Sequence, residues 1–551
     1  MLRNRLSKLS SLALLALTIV FPATAVQAQT FSVLYNFGNV IEDPQRPWNP
    51  GRMAQGRDGN LYTTSAGGGQ YNTGTVYNVT PTGQVGLMYS FGGIFVSGEG
   101  SYPSSGLVLG TDGNFYGAAY TGGVYDEGTV FKISPSGALT QLYDFTGGAD
   151  GGNPLAAPVQ GVDGNLYGTA AAGGANHYGT VYKITAAGKF TILHTFVFGE
   201  GNSPSAPLIQ GGDGNFYGTT SRTAFKITPA GKLTVLFTFD VVHGASPVAP
   251  LIQAADGNFY GTAQNGGAYD HGVVYKITSA GHVTVLYSFC PVAGCADGAY
   301  PNAGLVQAGD GNFYGVAAQG GAPEGYGTLY KITPSGTFSV LHTFDIPTGW
   351  TPVTLVQHTN GILYGEATGG GNSTACGNGG CGTFYSLNMG LAPFVSFLPQ
   401  QASGKIGGVI GIFGQGFSAA NGVSFGGTPA IFTVSTDGYL TATIPSGALS
   451  GPVAVTTLGG TLTTHRTFHV IPQIKSFSPP SGPVGTFVQI TGASLLQTTK
   501  VTFGGVPATT LTVDSDTQIT ATVPASAKTG RVAITTSGGS AASAANFTVT
   551  P

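Results

Sequence analysis

Charge is scarce in this chain. Only 8% of its 551 residues are Asp, Glu, Lys or Arg, and the basic ones are scattered rather than clustered, which argues against a nucleic-acid partner. Apolar residues at helical spacing are missing beyond the first 28 residues. No later stretch approaches the roughly 20 apolar residues of a transmembrane helix, so no such segment is expected in the mature chain. Tryptophan is confined to Trp48 and Trp350, and cysteine to Cys290, Cys295, Cys376 and Cys381. The nine His residues are dispersed, and no HExxH, GxSxG, EF-hand or phosphate-loop motif accompanies them. Of the one close pair, His465 and His469, both are expected on a surface strand. No catalytic residue, metal ligand or cofactor is assigned.

Glycine is what the chain has in abundance. There are 91 Gly and 32 Pro, and with plentiful Val, Thr, Tyr and Phe they suit short strands joined by tight turns. A hydrophobic fraction of 41% excludes ordinary disorder. Residues 1–28 read as a secretory signal, with Arg3, Arg5 and Lys8 ahead of the apolar run from Leu12 to Phe21 and a small-x-small site at Val26, Gln27 and Ala28. The expected location is outside the cytoplasm: secreted, at the cell surface, or in the periplasm.

The phrase DGN followed by an aromatic or Leu, then Tyr, returns at Asp58, Asp112, Asp163, Asp213, Asp256 and Asp310, with a worn copy at Asn360. One unit is therefore repeated seven times over 29–389. Each unit reads as four strands; in the third these are Ala157 to Gly161, Asn165 to Thr169, Gly179 to Thr185 and Phe190 to Phe196. Four antiparallel strands per unit of about 50 residues are the mark of a propeller blade. The phase is displaced: one fourth-type strand, Phe31 to Phe37, precedes every first-type strand, and none follows the last unit. In a closed ring it completes the seventh blade and hides two sheet edges. An open array leaves both ends unpaired.

The turn Asp is expected to cap its hairpin through its own downstream backbone. Gln55, Gln160, Gln210, Gln253, Gln307 and Gln357 recur in the first strand and are expected to satisfy backbone groups between blades. Lys132, Lys183, Lys226, Lys276 and Lys331 recur in the third strand as an exposed edge position or a partner of the turn Asp. A second duplication follows: Val423 to Gly427 match Val501 to Gly505 at an offset of 78. Two immunoglobulin-like sandwiches are expected, at 390–471 and 472–551.

The unit PLIQGGDGNFYGTT, GTVYKIT, PSG and LTVLYSF resembles the GloVer tandem repeat of exported bacterial proteins, over residues 31 to about 388. SFSPPSGPVGTFVQITGASL with VTFGGVPAT, from Ser476 onward, resembles an IPT/TIG domain. Neither resemblance implies an activity; together they imply an exported, modular binding or structural protein. DGNLYTT with VTPTG, Asp58 to Gly83, is similar to the repeat of streptogramin lyases, seven-bladed propellers using a metal ion and a His base, but Tyr stands where that repeat usually has Trp. A propeller enzyme, lyase-like or polysaccharide-active, is thus the alternative to a non-catalytic binding protein.

The cysteines are expected to pair locally, Cys290 with Cys295 and Cys376 with Cys381; a four-thiolate metal site normally uses tighter CxxC spacing. Antiparallel order places the uniform turns on one face and the variable connections on the other, where binding sites usually develop. There the candidate contacts to carbohydrate or to a cell-envelope protein are Trp48, Trp350, Tyr71, Tyr102, Asp297, Tyr300 and Asp345, aromatic planes beside hydroxyl-accepting groups.

Overall fold

The structure is a computed structural model and describes residues 29–47, 52–92 and 98–551. The expected signal at 1–28 and Trp48 lie outside the described residues. The fold is all-β, with helix limited among these residues to single 3₁₀ turns such as Phe198–Glu200.

Each repeat forms a four-stranded antiparallel sheet, seven in all. The sequence pattern explains the hairpin that starts each one. In the six intact copies the turn Asp accepts the backbone N–H of the Asn two residues on, at 3.0–3.2 Å. Its other oxygen accepts the hydroxyl of the Tyr four residues on, at 2.7–2.9 Å. The motif is therefore a turn clamp that also anchors a core tyrosine. In the worn seventh copy, His358 accepts the Asn360 N–H and bonds the Gly59 carbonyl oxygen of the first repeat at 2.8 Å.

The innermost strands of the first six repeats are short, two residues each, as in Val159–Gln160 of the third repeat, where five were expected. That of the seventh runs Trp350–Gln357, longer than expected.

Three sets of contacts join neighbouring sheets. First, the Phe ending each fourth strand meets the aromatic ring of the next sheet's third strand edge to face. The pairs are Phe37–Tyr77, Phe91–Phe131, Phe145–Tyr182, Phe196–Phe225, Phe239–Tyr275, Phe289–Tyr330 and Phe344–Tyr385, with centroids 4.9–5.6 Å apart. Second, the clamped tyrosines stack on the following repeat, as Tyr62 does on Phe115 at 4.1 Å and Tyr217 on Phe259 at 4.0 Å. Third, the first-strand glutamines bridge repeats. Gln160, Gln210, Gln253 and Gln307 each accept a turn N–H of the preceding repeat, and Gln55 accepts that of Thr359, at 2.9–3.1 Å.

The displaced N-terminal strand pairs as its phase requires. Thr30–Asn36 lies antiparallel to Thr383–Asn388 at the outer edge of the last sheet. Phe31 stacks on His342 of the sixth sheet at 3.6 Å, just as Phe190 stacks on Tyr143 and Phe338 on Tyr287. The first sheet meets the seventh through Phe37–Tyr77, through Gln55–Thr359 and through Glu366, a buried carboxyl that accepts the Tyr77 hydroxyl.

Residues 394–470 and 473–549 form two sandwiches with separate apolar cores, around Phe425 and Phe468 in one and Phe503 and Phe547 in the other. The first rests on the uniform-turn face. Its Phe413 and Tyr439 pack with Tyr62 and Phe115, Arg57 lies 4.7 Å over the Tyr439 ring, and the Thr436 hydroxyl donates to the Arg57 carbonyl oxygen at 2.6 Å. The second repeat carries Leu109 where the others carry Gln, and Gln400 of the sandwich donates there to the Leu109 carbonyl oxygen and to Gln160. His469 lies on the short strand His469–Val470 and bonds the Ser537 carbonyl oxygen of the second sandwich, whereas His465 is exposed in a bend rather than a strand and stacks on Phe394.

Three outcomes are expected. Phe145→Ala removes a fully buried ring and its edge-to-face contacts with Tyr143, Tyr182 and Phe190, and should cost about 3–5 kcal/mol in chemical denaturation. Deleting 30–36 should expose the third strand of the last sheet, making the repeats protease-sensitive or aggregation-prone; an equally stable truncation would sink the pairing argument. Glu366 has its pKa raised by burial from 4.5 to about 8, against the opposing pull of the Tyr77 bond. The folded state thus holds this proton where the unfolded state releases it, so stability falls as pH rises between those values. Glu366→Gln should flatten that slope in thermal unfolding.

Candidate functional site

The face opposite the sandwich carries a feature that only the backbone reveals. Each connection leading into a first strand contains a residue followed by proline: Arg46, Tyr102, Asn153, Ser203, Ser246, Tyr300 and Thr351 precede Pro47, Pro103, Pro154, Pro204, Pro247, Pro301 and Pro352. All seven leading residues are non-glycine with φ between 48° and 55°. None is buried, while all seven prolines are. Left-handed backbone at a side-chain-bearing residue costs on the order of 1–3 kcal/mol and persists only where surroundings enforce it.

The surroundings that enforce it are visible. The N–H of Tyr102 donates to the Thr73 carbonyl oxygen, that of Asn153 to Glu127 and that of Thr351 to Tyr326, at 2.7–3.0 Å, tying each position to a loop of the preceding repeat. The proline then packs on the glycine that opens that repeat's third strand. At Gly179, with φ +94°, an added Cβ would lie 2.5 Å from the Ala170 carbonyl oxygen and 2.7 Å from Pro204 Cδ. A fixed anchor thus presents a side chain that changes from repeat to repeat.

A cavity of about 820 Å³ opens where the seventh, first and second repeats converge on this face. Arg46, Asn72, Tyr102, Tyr120, Thr121 and Leu155 line part of it. Tyr102 is 47% and Tyr120 37% exposed. The wall therefore combines two accessible phenol rings, a guanidinium and amide and hydroxyl groups, able to stack on a flat apolar surface while bonding its polar rim.

Of the residues singled out from sequence, Tyr102 lines this cavity. Tyr71 is exposed beside the lining residue Asn72. Tyr300 occupies the equivalent strained position four repeats on, its ring 5.3 Å from His271. Trp350 lies against its own loop: its Nε1 donates to the Gly379 carbonyl oxygen at 2.9 Å and its indole covers Gly369. Asp345 accepts the Thr348 N–H at 2.9 Å and hydroxyl at 2.6 Å. Asp297 accepts the Tyr287 hydroxyl at 2.9 Å and the Cys290 N–H at 3.0 Å. Asp43, Glu99 and Asp150 hold their own repeats' tyrosine and loop N–H in the same way, so this carboxylate is a recurring loop clasp.

Both local disulfides form, Cys290–Cys295 and Cys376–Cys381. His271 lies with the first pair, but oxidised sulfurs are not thiolate ligands. Sequence reasoning missed Arg46 and Tyr120, and the signal that points to the strained set is the recurring X–Pro dipeptide with X variable.

Among solved structures, a streptogramin B lyase is similar at 16% identity and a TM-score of 0.46, over 65% of this chain and 97% of that one. Virginiamycin B lyase from Staphylococcus aureus is similar at 14% identity and 0.46, over 66% and 99%. A surface glycan-binding protein from Prevotella bryantii is similar at 19% identity and 0.22, over 26% and 38%. Comparison with curated proteins gives no match. The Gloeobacter/Verrucomicrobia repeat model matches residues 18–224 and 222–425, and the IPT/TIG domain model matches 472–550. With more than half its length so matched, the chain belongs to the Gloeobacter/Verrucomicrobia repeat family and ends in an IPT/TIG domain.

Proposed function

We propose that the seven sheets close as a seven-bladed β-propeller spanning 29–389, followed by sandwiches at 390–471 and 472–551. In this reading the molecule is an exported, non-catalytic protein of the cell envelope or extracellular space that binds carbohydrate through the variable-loop face. Closure is supported by contacts that return from the seventh repeat to the first, through Phe37–Tyr77 and Gln55–Thr359. Export is supported by two disulfides, which persist in oxidising compartments. No helix among the described residues is long and apolar enough to cross a membrane.

The observation that carries the binding reading is the proline-anchored set of variable residues, two of which, Arg46 and Tyr102, line the 820 Å³ cavity. Strained backbone maintained seven times at accessible positions is costly unless the side chains it displays are used. Tyr102 and Tyr120 supply stacking surfaces for sugar rings, and Arg46, Asn72 and Thr121 supply hydroxyl and carboxylate partners. Tyr71 and Tyr300 extend the same face, while Trp350, Asp297 and Asp345 hold the loops that shape it.

The test is retention of the full chain on a panel of insoluble polysaccharides. The Tyr102→Ala, Tyr120→Ala double variant should lose at least tenfold in retention with its thermal unfolding unchanged. Equal retention by a folded double variant would move the site elsewhere, and release of shortened sugars from the bound polymer would overturn the non-catalytic reading.

A further inference from the structure

The cavity of about 820 Å³ is one-sided in its hydrogen bonding. No Asp or Glu is among the described residues that line it, and Arg46 is the charged group on its wall. Among the described residues no hydrogen bond or ion pair engages the Arg46 guanidinium; the ion pairs are His194–Glu200 and His243–Asp240, on other repeats. Asn72 spends its side-chain carbonyl oxygen on the Gly68 N–H at 2.9 Å, which leaves its NH₂ group as a donor. The carboxylates of the adjoining loops do not line the cavity and are already engaged. Asp43 accepts the Asn39 N–H, Glu99 the Gly92 N–H and Asp126 the Gly122 N–H, at 2.8–3.0 Å.

The backbone fixes these positions in advance. Arg46 donates its N–H to the Cys381 carbonyl oxygen at 2.8 Å and is held at φ 50° ahead of the buried Pro47. Tyr120 donates its N–H to the Tyr102 carbonyl oxygen at 3.2 Å, continuing the short antiparallel ladder in which Ser101 faces Thr121. The two accessible phenols therefore stand on paired segments, where side chains are close enough to act on one ligand.

We infer that the cavity takes a carboxylate-bearing sugar, a uronate unit of an acidic polysaccharide, with its carboxylate on Arg46 and its ring against Tyr102 and Tyr120. The inference rests on the carbohydrate reading above and narrows it to one class. Hydroxyls of a neutral sugar use acceptors as well as donors, whereas a carboxylate uses donors alone, and donors are what Arg46 and Asn72 bring. The planar guanidinium fork takes both oxygens of one carboxylate at once. A uronate carries that group at the edge of a ring whose C–H face is apolar, so a single unit meets both the cation and the phenol planes. The volume is ample for it, since small-ligand sites span about 300–1,000 Å³.

The test titrates the intact protein calorimetrically with oligomers of polygalacturonate and of alginate, each beside its own methyl ester, at constant ionic strength. One of the two acids should bind at least tenfold tighter than its ester, which keeps the sugar and masks the charge. Arg46→Asn should abolish that preference and leave thermal unfolding unchanged, since Arg46 is exposed and Asn153 occupies the same left-handed position in the third repeat. Arg46→Lys, with the charge but not the fork, should keep part of the preference. The Tyr102→Ala, Tyr120→Ala variant should weaken acid and ester alike. Equal affinity for acid and ester, or a preference that survives in Arg46→Asn, would overturn the uronate assignment and leave carbohydrate binding standing. Binding of neither acid by a protein that is retained on a neutral polysaccharide would do the same. Failure to bind any polysaccharide, neutral or acidic, would overturn both readings.

Discussion

The edge-to-face contact between the last Phe of one sheet and the third-strand aromatic of the next is the constraint on which the repeat region depends. It occurs at all seven seams, including the one between the seventh sheet and the first. Such pairs contribute about 0.5–1.5 kcal/mol beyond the area they bury, and their geometry fixes how far one sheet turns from its neighbour. Single four-stranded repeats cannot bury their apolar faces alone. Their stability comes from neighbours on both sides, which is why the N-terminal strand, bringing Phe31 and Phe37, is a structural requirement of the last seam rather than an appendage.

The two faces have been put to different uses. On the uniform-turn face, Asp, Asn, Tyr and Gln are spent on each other, and the first sandwich covers part of what remains. The substitution of Leu109 for the recurrent Gln coincides with the place where Gln400 of the sandwich docks. On the opposite face the constant elements are the buried prolines and the glycines beneath them, and what they hold up is variable. Strain there is paid once per repeat by rigid packing, so the displayed side chain is free to differ.

Scarcity of charge makes the exceptions informative. Many carboxylates are held in turn clamps and loop clasps. Glu366 is buried at the seam between the last and first sheets with a tyrosine hydroxyl as its partner, and burial favours its neutral form. That group sits where the two ends of the repeat array meet, so its protonation is linked to the packing of that seam.

Much of this was legible from the chain. The recurrence of DGN with Tyr four residues after the Asp, the period of the strands, the displaced terminal strand, the bridging Gln residues and the local cysteine pairs all follow from spacing and turn chemistry, because those interactions are local or repeated. The first strand of the third repeat pairs over two residues rather than the expected five, whereas that of the seventh extends back to Trp350, because ladder length depends on partners the sequence does not name. Trp350, Asp297 and Asp345 were conspicuous in composition, but only tertiary contacts reveal that their polar atoms are engaged within their own loops. Left-handed backbone at Arg46, Tyr102 and their equivalents, and convergence of Arg46, Tyr102 and Tyr120 on one cavity, join residues far apart in sequence. Their positions depend on how sheets turn about one another, and packing between distant segments settles that, not any local pattern of residues.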